Sequence, residues 1–345
     1  MNVNELTCKL IDIPSVSGDE GNVGMYLKEH LEVLGYSVQL QEVARDRFNV
    51  FATTNALPRV VLSTHMDTVP PFIPSSEDDE KIYGRGACDA KGIIAAQINA
   101  AERLRHGGIT EIGLLFTVDE EQGSAGAEVA NKVANLEKPA TAYLINGEPT
   151  DNRLASATKG SLRLNLRTKG RASHSAYPEQ GESAIEKLLD VLETIRKCVW
   201  PVDNVLGETT CNIGVIRGGT RANVVPDEAF ADLQLRLVSE AAPVKKILEA
   251  AIGGRAEVEY LSEHDPVHLK TIEGIEQCIV RFTTDIPYLS NWGQPLLLGP
   301  GSILNAHTGH EFVEKRELEQ AVEIYARLVR VLLGKPRELV EGVAR

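Results

Sequence analysis

Two imidazoles and five carboxylates stand out among the side chains of five short fragments of this chain: STHMDTVP with His65 and Asp67, GRGACDAKG with Asp89, TVDEEQG with Glu120 and Glu121, NGEPT with Glu148, and, far downstream, AHTGHEFVE with His307. Imidazole nitrogens mixed with carboxylate oxygens form a donor set for zinc, with cobalt or manganese as alternatives. Five ligands with one shared carboxylate make two sites. His65, Asp89 and Glu148 would hold one divalent ion, and Asp89, Glu121 and His307 the other. Asp67 lies two residues beyond His65, on the same side of extended backbone, where a carboxylate can orient the ring. Side chains of adjacent residues diverge, so one of the two glutamates can ligate while its neighbour faces a reacting water. We take Glu121 as the ligand and Glu120 as the general base, although the alternation also permits the exchange. Asp89 has a second reading, as the N-cap of a helix starting near Lys91. His310, in a possible HxxH pair, is the rival imidazole to His307.

These fragments need a scaffold that gathers them. The runs 49–53, 60–63, 113–118 and 142–146 are short and apolar. Helical patterns lie beside and between them: Val23, Leu27, His30, Leu31 and Leu34 before Gly35, then residues 91–106 with Ile94, Ile98, Ala101 and Leu104 on one face. Strands interleaved with helices predict an α/β sheet covered on both sides. In such sheets ligands collect beyond the carboxyl ends of the strands, which is where most of the fragments fall.

The pattern changes near residue 158. Leu162, Leu164 and Leu166 alternate with polar residues, as do Leu233, Leu235 and Leu237. A helix (Ala184, Ile185, Leu188, Leu189, Leu192), a strand at 209–216, a short helix at 244–251 and a strand at 256–261 complete a β-α-β-β-α-β order, the split βαβ arrangement. After about residue 267 an apolar strand at 296–298 and a long amphipathic helix at 314–333, closed by Gly334 and Pro336, return to the first character. The expected organisation is a metal-binding domain of residues 1–157 and 267–345, interrupted by a small α+β domain of residues 158–266.

Composition narrows the function classes. Of 345 residues, 43% are hydrophobic, enough for a sizeable core, and the formal net charge is −13. Phosphate-rich partners would be repelled, so neither nucleic acid nor an anionic membrane is expected. Five scattered cysteines without a CxxC spacing argue against a disulfide framework. No apolar run approaches about 18 residues, and the N-terminus lacks a secretory pattern. A cytoplasmic protein is expected.

The fragments HMDTVP, GRGACDAKG, DEEQG, GEPT and GPGS…AHT occur in the order, and at suitable intervals, of the M20 family of metallohydrolases, and the chain resembles that family over nearly its whole length. The family includes acetylornithine deacetylase, succinyl-diaminopimelate desuccinylase, aminoacylases and carboxypeptidase relatives. The resemblance implies a zinc-peptidase-like catalytic domain with a mixed sheet covered by helices, plus an inserted ferredoxin-like lid and dimerisation domain. It implies two divalent metal ions, Asp67 orienting His65, Asp89 bridging, Glu120 as base, and a cis peptide after Asp89. His174 in GRASHSAYP matches the lid histidine that stabilises the oxyanion across a homodimer. Arg236 matches a residue that binds a substrate carboxylate, and Asn212 and Asn223 match cleft positions.

The resemblance makes the expected reaction hydrolysis of the amide bond of a small N-acyl amino acid. Acetylornithine deacetylase, an arginine-biosynthesis enzyme, is the first expectation. A desuccinylase, a general aminoacylase and a dipeptidase or carboxypeptidase are alternatives. The desuccinylases carry a paired basic motif before the Gly-Ser that opens the lid; here ATKGS offers Lys159 alone, which argues against a dicarboxylate acyl group. A catalytically silent homologue that binds amino-acid derivatives is the non-enzyme alternative, and retention of Glu120 with every ligand argues against it.

Overall fold

The computed structural model describes residues 1–54, 57–137 and 141–335; the expected stop at Pro336 lies outside the described residues. The chain divides into two compact units, Met1–Ser156 with Leu269–Cys278 and Thr284–Arg345, and Ala157–His268 with Ile279–Thr283.

The larger unit is built on a six-stranded mixed sheet, in the order Ser37–Ala44, Arg47–Thr53, Ile112–Thr117, Val60–His65, Tyr143–Asn146, Gln294–Leu297. The last four strands are parallel and the first two form an antiparallel hairpin at one edge. Val60–His65 and Ile112–Thr117 are buried at every position, because a parallel sheet is covered on both faces. Successive side chains go to opposite sides. Val60, Leu62, Leu114, Phe116 and Ile145 pack into one core with Leu6, Leu10, Ile94, Leu104 and Leu328. Val61, Leu115 and Leu144 pack into a second with Ala127, Ala130 and Trp292. The helices Val3–Ile11, Lys91–His106 and Lys315–Leu332 thus share the first layer, and Ala125–Glu137 supplies the other.

Two of those helices were absent from the sequence reading. Val3–Ile11 is short, but Asn2 and Glu5 form a complete capping box at its start. Ala125–Glu137 follows the acidic turn directly. The N-cap of Lys91–His106 is Ala90 without a side-chain cap bond, so the capping reading of Asp89 is corrected: its carboxylate is committed to His65 instead.

The smaller unit is an antiparallel sheet in the order Thr210–Gly218, Glu228–Leu237, Gly160–Lys169, Glu257–His264. Leu162, Leu164 and Leu166 join Leu233, Leu235 and Leu237 in one core with Leu188, Leu192, Val244 and Leu248 of the helices Ala184–Arg196 and Ala241–Ile252. Ile279–Thr283, which the sequence reading left in the larger domain, belongs to this unit: Lys159 N–H donates to the Val280 carbonyl (3.0 Å). All five cysteines are free thiols. No helix among the described residues is long and apolar enough to cross a membrane.

Candidate active site

Three adjacent parallel strands of the large unit release the chain at the same end. Val60–His65 ends on His65, Ile112–Thr117 runs into Val118–Asp119–Glu120–Glu121, and Tyr143–Asn146 is followed by Gly147 and Glu148. The ladder continues past the strand ends. Gly147 N–H donates to the Ser63 carbonyl (2.7 Å), and the Thr64 hydroxyl donates to the Gly147 carbonyl (2.8 Å). Glu148 is thereby held beside His65.

Two donor groups result. His65, Asp89 and Glu148 each offer a ligand atom within 4.8 Å of one another, and so do Asp89, Glu121 and His307. Asp89 belongs to both. Its Oδ1 lies 3.0 Å from His65 Nε2, and its Oδ2 lies 3.3 Å from His307 Nε2. His307 Nε2 is also 3.0 Å from Glu121 Oε1. Neither Glu120 nor the exposed His310 belongs to either group. The Asp89–Ala90 peptide is cis.

Asp67 is the hub between these segments. Its carboxylate accepts the Ser17 hydroxyl (2.6 Å) and the backbone N–H groups of Glu120 (3.1 Å) and Glu121 (3.2 Å), and it lies 3.4 Å from His65 Nδ1. One fully buried carboxylate therefore orients the imidazole and anchors the acidic turn. Burial alone would raise the Asp67 carboxyl; His65 and the donors around it hold it below its ordinary value. Glu120 and Glu148 go the other way, pushed well above the usual carboxylate range by burial and by neighbouring carboxylates. Asp89 is held low against its burial by both histidines. His307 is pushed up to about 10 by its bonds to Asp89 and Glu121.

Such crowding of like charge is what a cation relieves, and the Oε1 of Glu148 is buried with no hydrogen-bond partner. Donor identity, spacing and this orphaned oxygen all fit a pair of divalent ions. Asp119 and His307 both adopt left-handed backbone (φ 72° and 63°) next to or within the donor groups, a strained conformation for residues with a Cβ.

Some of the supporting residues escaped the sequence reading. Asp285 is buried against the Thr117 hydroxyl (2.7 Å), and burial raises its carboxyl to about 6. Arg47 bridges Glu20 and Asp119 (2.7 Å to each), and Glu311 takes up Arg85 (2.6 Å). Nothing local marks any of these; their partners lie between 27 and 226 residues away in the chain. The remaining expected site residues all lie in the small unit. His174 is exposed, its Nδ1 accepting from Ala176 N–H (3.1 Å). Asn212 and Asn223 are exposed, and Arg236 is half-buried with Nη1 3.5 Å from the Thr283 hydroxyl.

Residues 61–331 match the family described as Peptidase family M20/M25/M40. A peptidase M20 domain-containing protein of Schizosaccharomyces pombe is 37% identical over 341 residues, covering 95% of this chain and 84% of that protein. A probable carboxypeptidase of Aspergillus terreus is 38% identical over 363 residues, covering 93% and 84%. The crystal structure of a tripeptidase from Staphylococcus aureus shares the fold, with a TM-score of 0.80 at 22% identity over 96% of this chain and 98% of that one. With a family match over most of its length and relatives well above 30% identity, the chain belongs to peptidase family M20/M25/M40 and is a metal-dependent hydrolase acting on peptide or amide bonds.

Proposed function

We propose that this hydrolase removes a terminal amino acid bearing a free α-carboxylate, as a carboxypeptidase or dipeptidase does. The relatives named probable carboxypeptidase favour this reading over the narrower acetylornithine deacetylase first expected from sequence. Cleavage of an N-acyl amino acid is the same reaction with a smaller acyl group, and it stays as the second reading because the donor groups and Glu120 serve both equally.

The observation that carries the hydrolysis common to both readings is the pair of donor groups joined by Asp89, with Glu120 beside them and outside both. His65, Asp89 and Glu148 would hold one ion and Asp89, Glu121 and His307 the other, zinc by choice of donors, with cobalt or manganese as alternatives. When bound, such ions would supply Lewis acidity and lower the pKa of a bound water to about 7.

The protein's own groups do the rest. Glu120 accepts a proton from the attacking water and returns it to the leaving amine. Asp67 keeps His65 and the Glu120–Glu121 turn in register. On their motif positions we assign His174 to the developing oxyanion, Arg236 to the α-carboxylate by charge-assisted hydrogen bonds, and Asn212 and Asn223 to the substrate. The resemblance supports a homodimer in which His174 serves the partner's site.

The test is a panel of dipeptides, C-terminally amidated dipeptides, and N-acetyl, N-formyl and N-succinyl amino acids, assayed with zinc, cobalt and manganese and after chelation. Release of the C-terminal residue only where the carboxylate is free supports the proposal. Equal cleavage of amidated peptides removes Arg236 from its role, and cleavage of acyl amino acids alone favours the second reading.

A further inference from the structure

Glu311 belongs to neither donor group, yet it is among the most heavily engaged carboxylates of the large unit. Its side chain is fully buried. Oε1 accepts the backbone N–H groups of Gly86 (3.0 Å), Cys88 (3.2 Å) and Asp89 (3.2 Å), and Oε2 accepts Arg85 Nη1 (2.6 Å). Gly84 N–H donates to the Glu311 carbonyl (3.0 Å). Every backbone N–H from Gly84 to Asp89 except those of Arg85 and Ala87 thus ends on this one residue. Those two go to the Ile73 carbonyl and, within the turn, to the Gly84 carbonyl. The glycine-rich turn that presents Asp89 is wrapped around a carboxylate arriving from 222 residues downstream.

The same residue governs the second segment. Glu311 directly precedes the strand Phe312–Glu314, which pairs with Lys81–Tyr83 in a small antiparallel sheet. That pairing fixes the end of the loop carrying His307, four residues before Glu311. Gly301, at the start of the loop, lies so close to Cys88 that a Cβ there would meet Cys88 Cβ at 2.5 Å. The loops of Asp89 and His307 are therefore packed on each other at one end and tied through Glu311 at the other.

Arg85 completes the device. Its side chain is 2% exposed, and Nε also donates to the Pro71 carbonyl (3.3 Å). A buried ion pair of this kind is weak evidence for stability, since the desolvation of both charges offsets much of their attraction. Its geometry, with one oxygen for the guanidinium and the other for three amides, instead specifies one conformation of the turn.

We propose that Glu311, pinned by Arg85, is a positioning residue that sets the separation of Asp89 and His307 and so the affinity of the second metal site. The inference rests on the ligand reading given above. Groups that orient metal ligands from outside typically contribute 10–100-fold in metal affinity.

The experiment uses the full chain loaded with Co2+, with each ion withdrawn by chelators of graded strength while cobalt absorption is followed. Glu311→Gln keeps shape but removes the charge; Arg85→Lys keeps Glu311 and its amide contacts but loses the planar fork. In either variant we expect at least one of the two ions to lose at least tenfold in affinity, with an altered absorption band, and KM to change less than kcat. Arg85→Lys should retain more affinity than Glu311→Gln, and it carries the test alone should the latter not fold. Folded variants that hold both ions within tenfold of the parent, with unchanged spectra, reduce the pair to a structural brace and overturn the inference. Failure of the parent chain to bind two ions would instead sink the ligand reading itself.

Discussion

Arg47 offers the sharpest test of how the acidic turn is held. Its Nε and Nη2 each lie 2.7 Å from a Glu20 oxygen, and Nη2 is also 2.7 Å from Asp119 Oδ1. The Glu20 side chain is fully buried, whereas Arg47 and Asp119 retain 19% and 15% exposure. Arg47→Met keeps the apolar stem and deletes the guanidinium, leaving Glu20 with the Gly18 N–H (3.0 Å) as its remaining donor among the described residues. Breaking a buried pair from one side costs about 3–5 kcal/mol. Solvent reaches the guanidinium here, so about 2–3 kcal/mol is the better figure. At about 2–4 °C per kcal/mol for a body of this size, Tm should fall by roughly 4–12 °C. The second consequence is functional. Asp119 immediately precedes Glu120 and Glu121, and once Arg47 is gone its carboxylate keeps, among the described residues, the Ala125 N–H (3.4 Å). We therefore expect kcat to fall at least tenfold with little change in KM. Thermal unfolding by circular dichroism and steady-state kinetics on the metal-loaded protein measure both. The double variant Glu20→Gln/Arg47→Met should recover part of the stability but not the rate. A Tm within about 1 °C of the parent together with an unchanged kcat would refute the reasoning.

Three further outcomes follow from the same geometry. Glu120→Gln should lower kcat by about 10²–10⁴-fold while two ions remain bound by elemental analysis; loss of an ion would mean that the two glutamates exchange roles. Gly147→Ala should destabilise the fold and weaken metal binding together, because a Cβ there would sit 2.3 Å from Ile93 Cγ2 and 2.6 Å from Gln97 Nε2; an unshifted unfolding midpoint would contradict the close approach. In the small unit, burial holds the His264 imidazole below its ordinary value of 6.5 against the pull of Asp265 and Glu263. Near pH 6 the unfolded chain then binds more protons than the folded one, so stability is full above pH 7 and declines as pH drops through 6.5. An imidazole NMR titration should give a midpoint under 6.5, and one at or above that value rejects the claim.

The parts of the fold that sequence made legible are those where one physical demand dominates. Buried parallel strands need apolar residues on both faces, and 60–63, 113–118 and 142–146 read that way. The small unit's strands need one wet face, and the leucines at 162–166 and 233–237 alternate accordingly. The hairpin strand Ser37–Ala44 was missed because its edge position leaves only Gln41 fully buried, so no apolar pattern is required of it. In the site, His65, Asp89, Glu121, Glu148 and His307 were visible because histidines and carboxylates at strand ends are chemically conspicuous. Asp285, Glu20 and Glu311 were not, because a carboxylate is ordinary in a loop until the fold brings Thr117, Arg47 or Arg85 against it. Position in three dimensions, rather than residue type, gives these three their meaning.

The six-stranded sheet also bears on how the molecule comes to exist. Tyr143–Asn146 acquires its outer neighbour only from Gln294–Leu297, and the helix Lys91–His106, already flanked by Val3–Ile11, acquires the rest of its cover from Lys315–Leu332. During synthesis the first half of the chain therefore leaves the ribosome with an open strand edge and a partly uncovered apolar helix face. It must wait for some 150 more residues, those of the small unit among them, before either is closed. Pairings this distant in sequence make assembly slow, and exposed edges of that kind invite association between nascent chains. The helix Lys315–Leu332 is thus as much a closing step of biogenesis as an element of the finished enzyme.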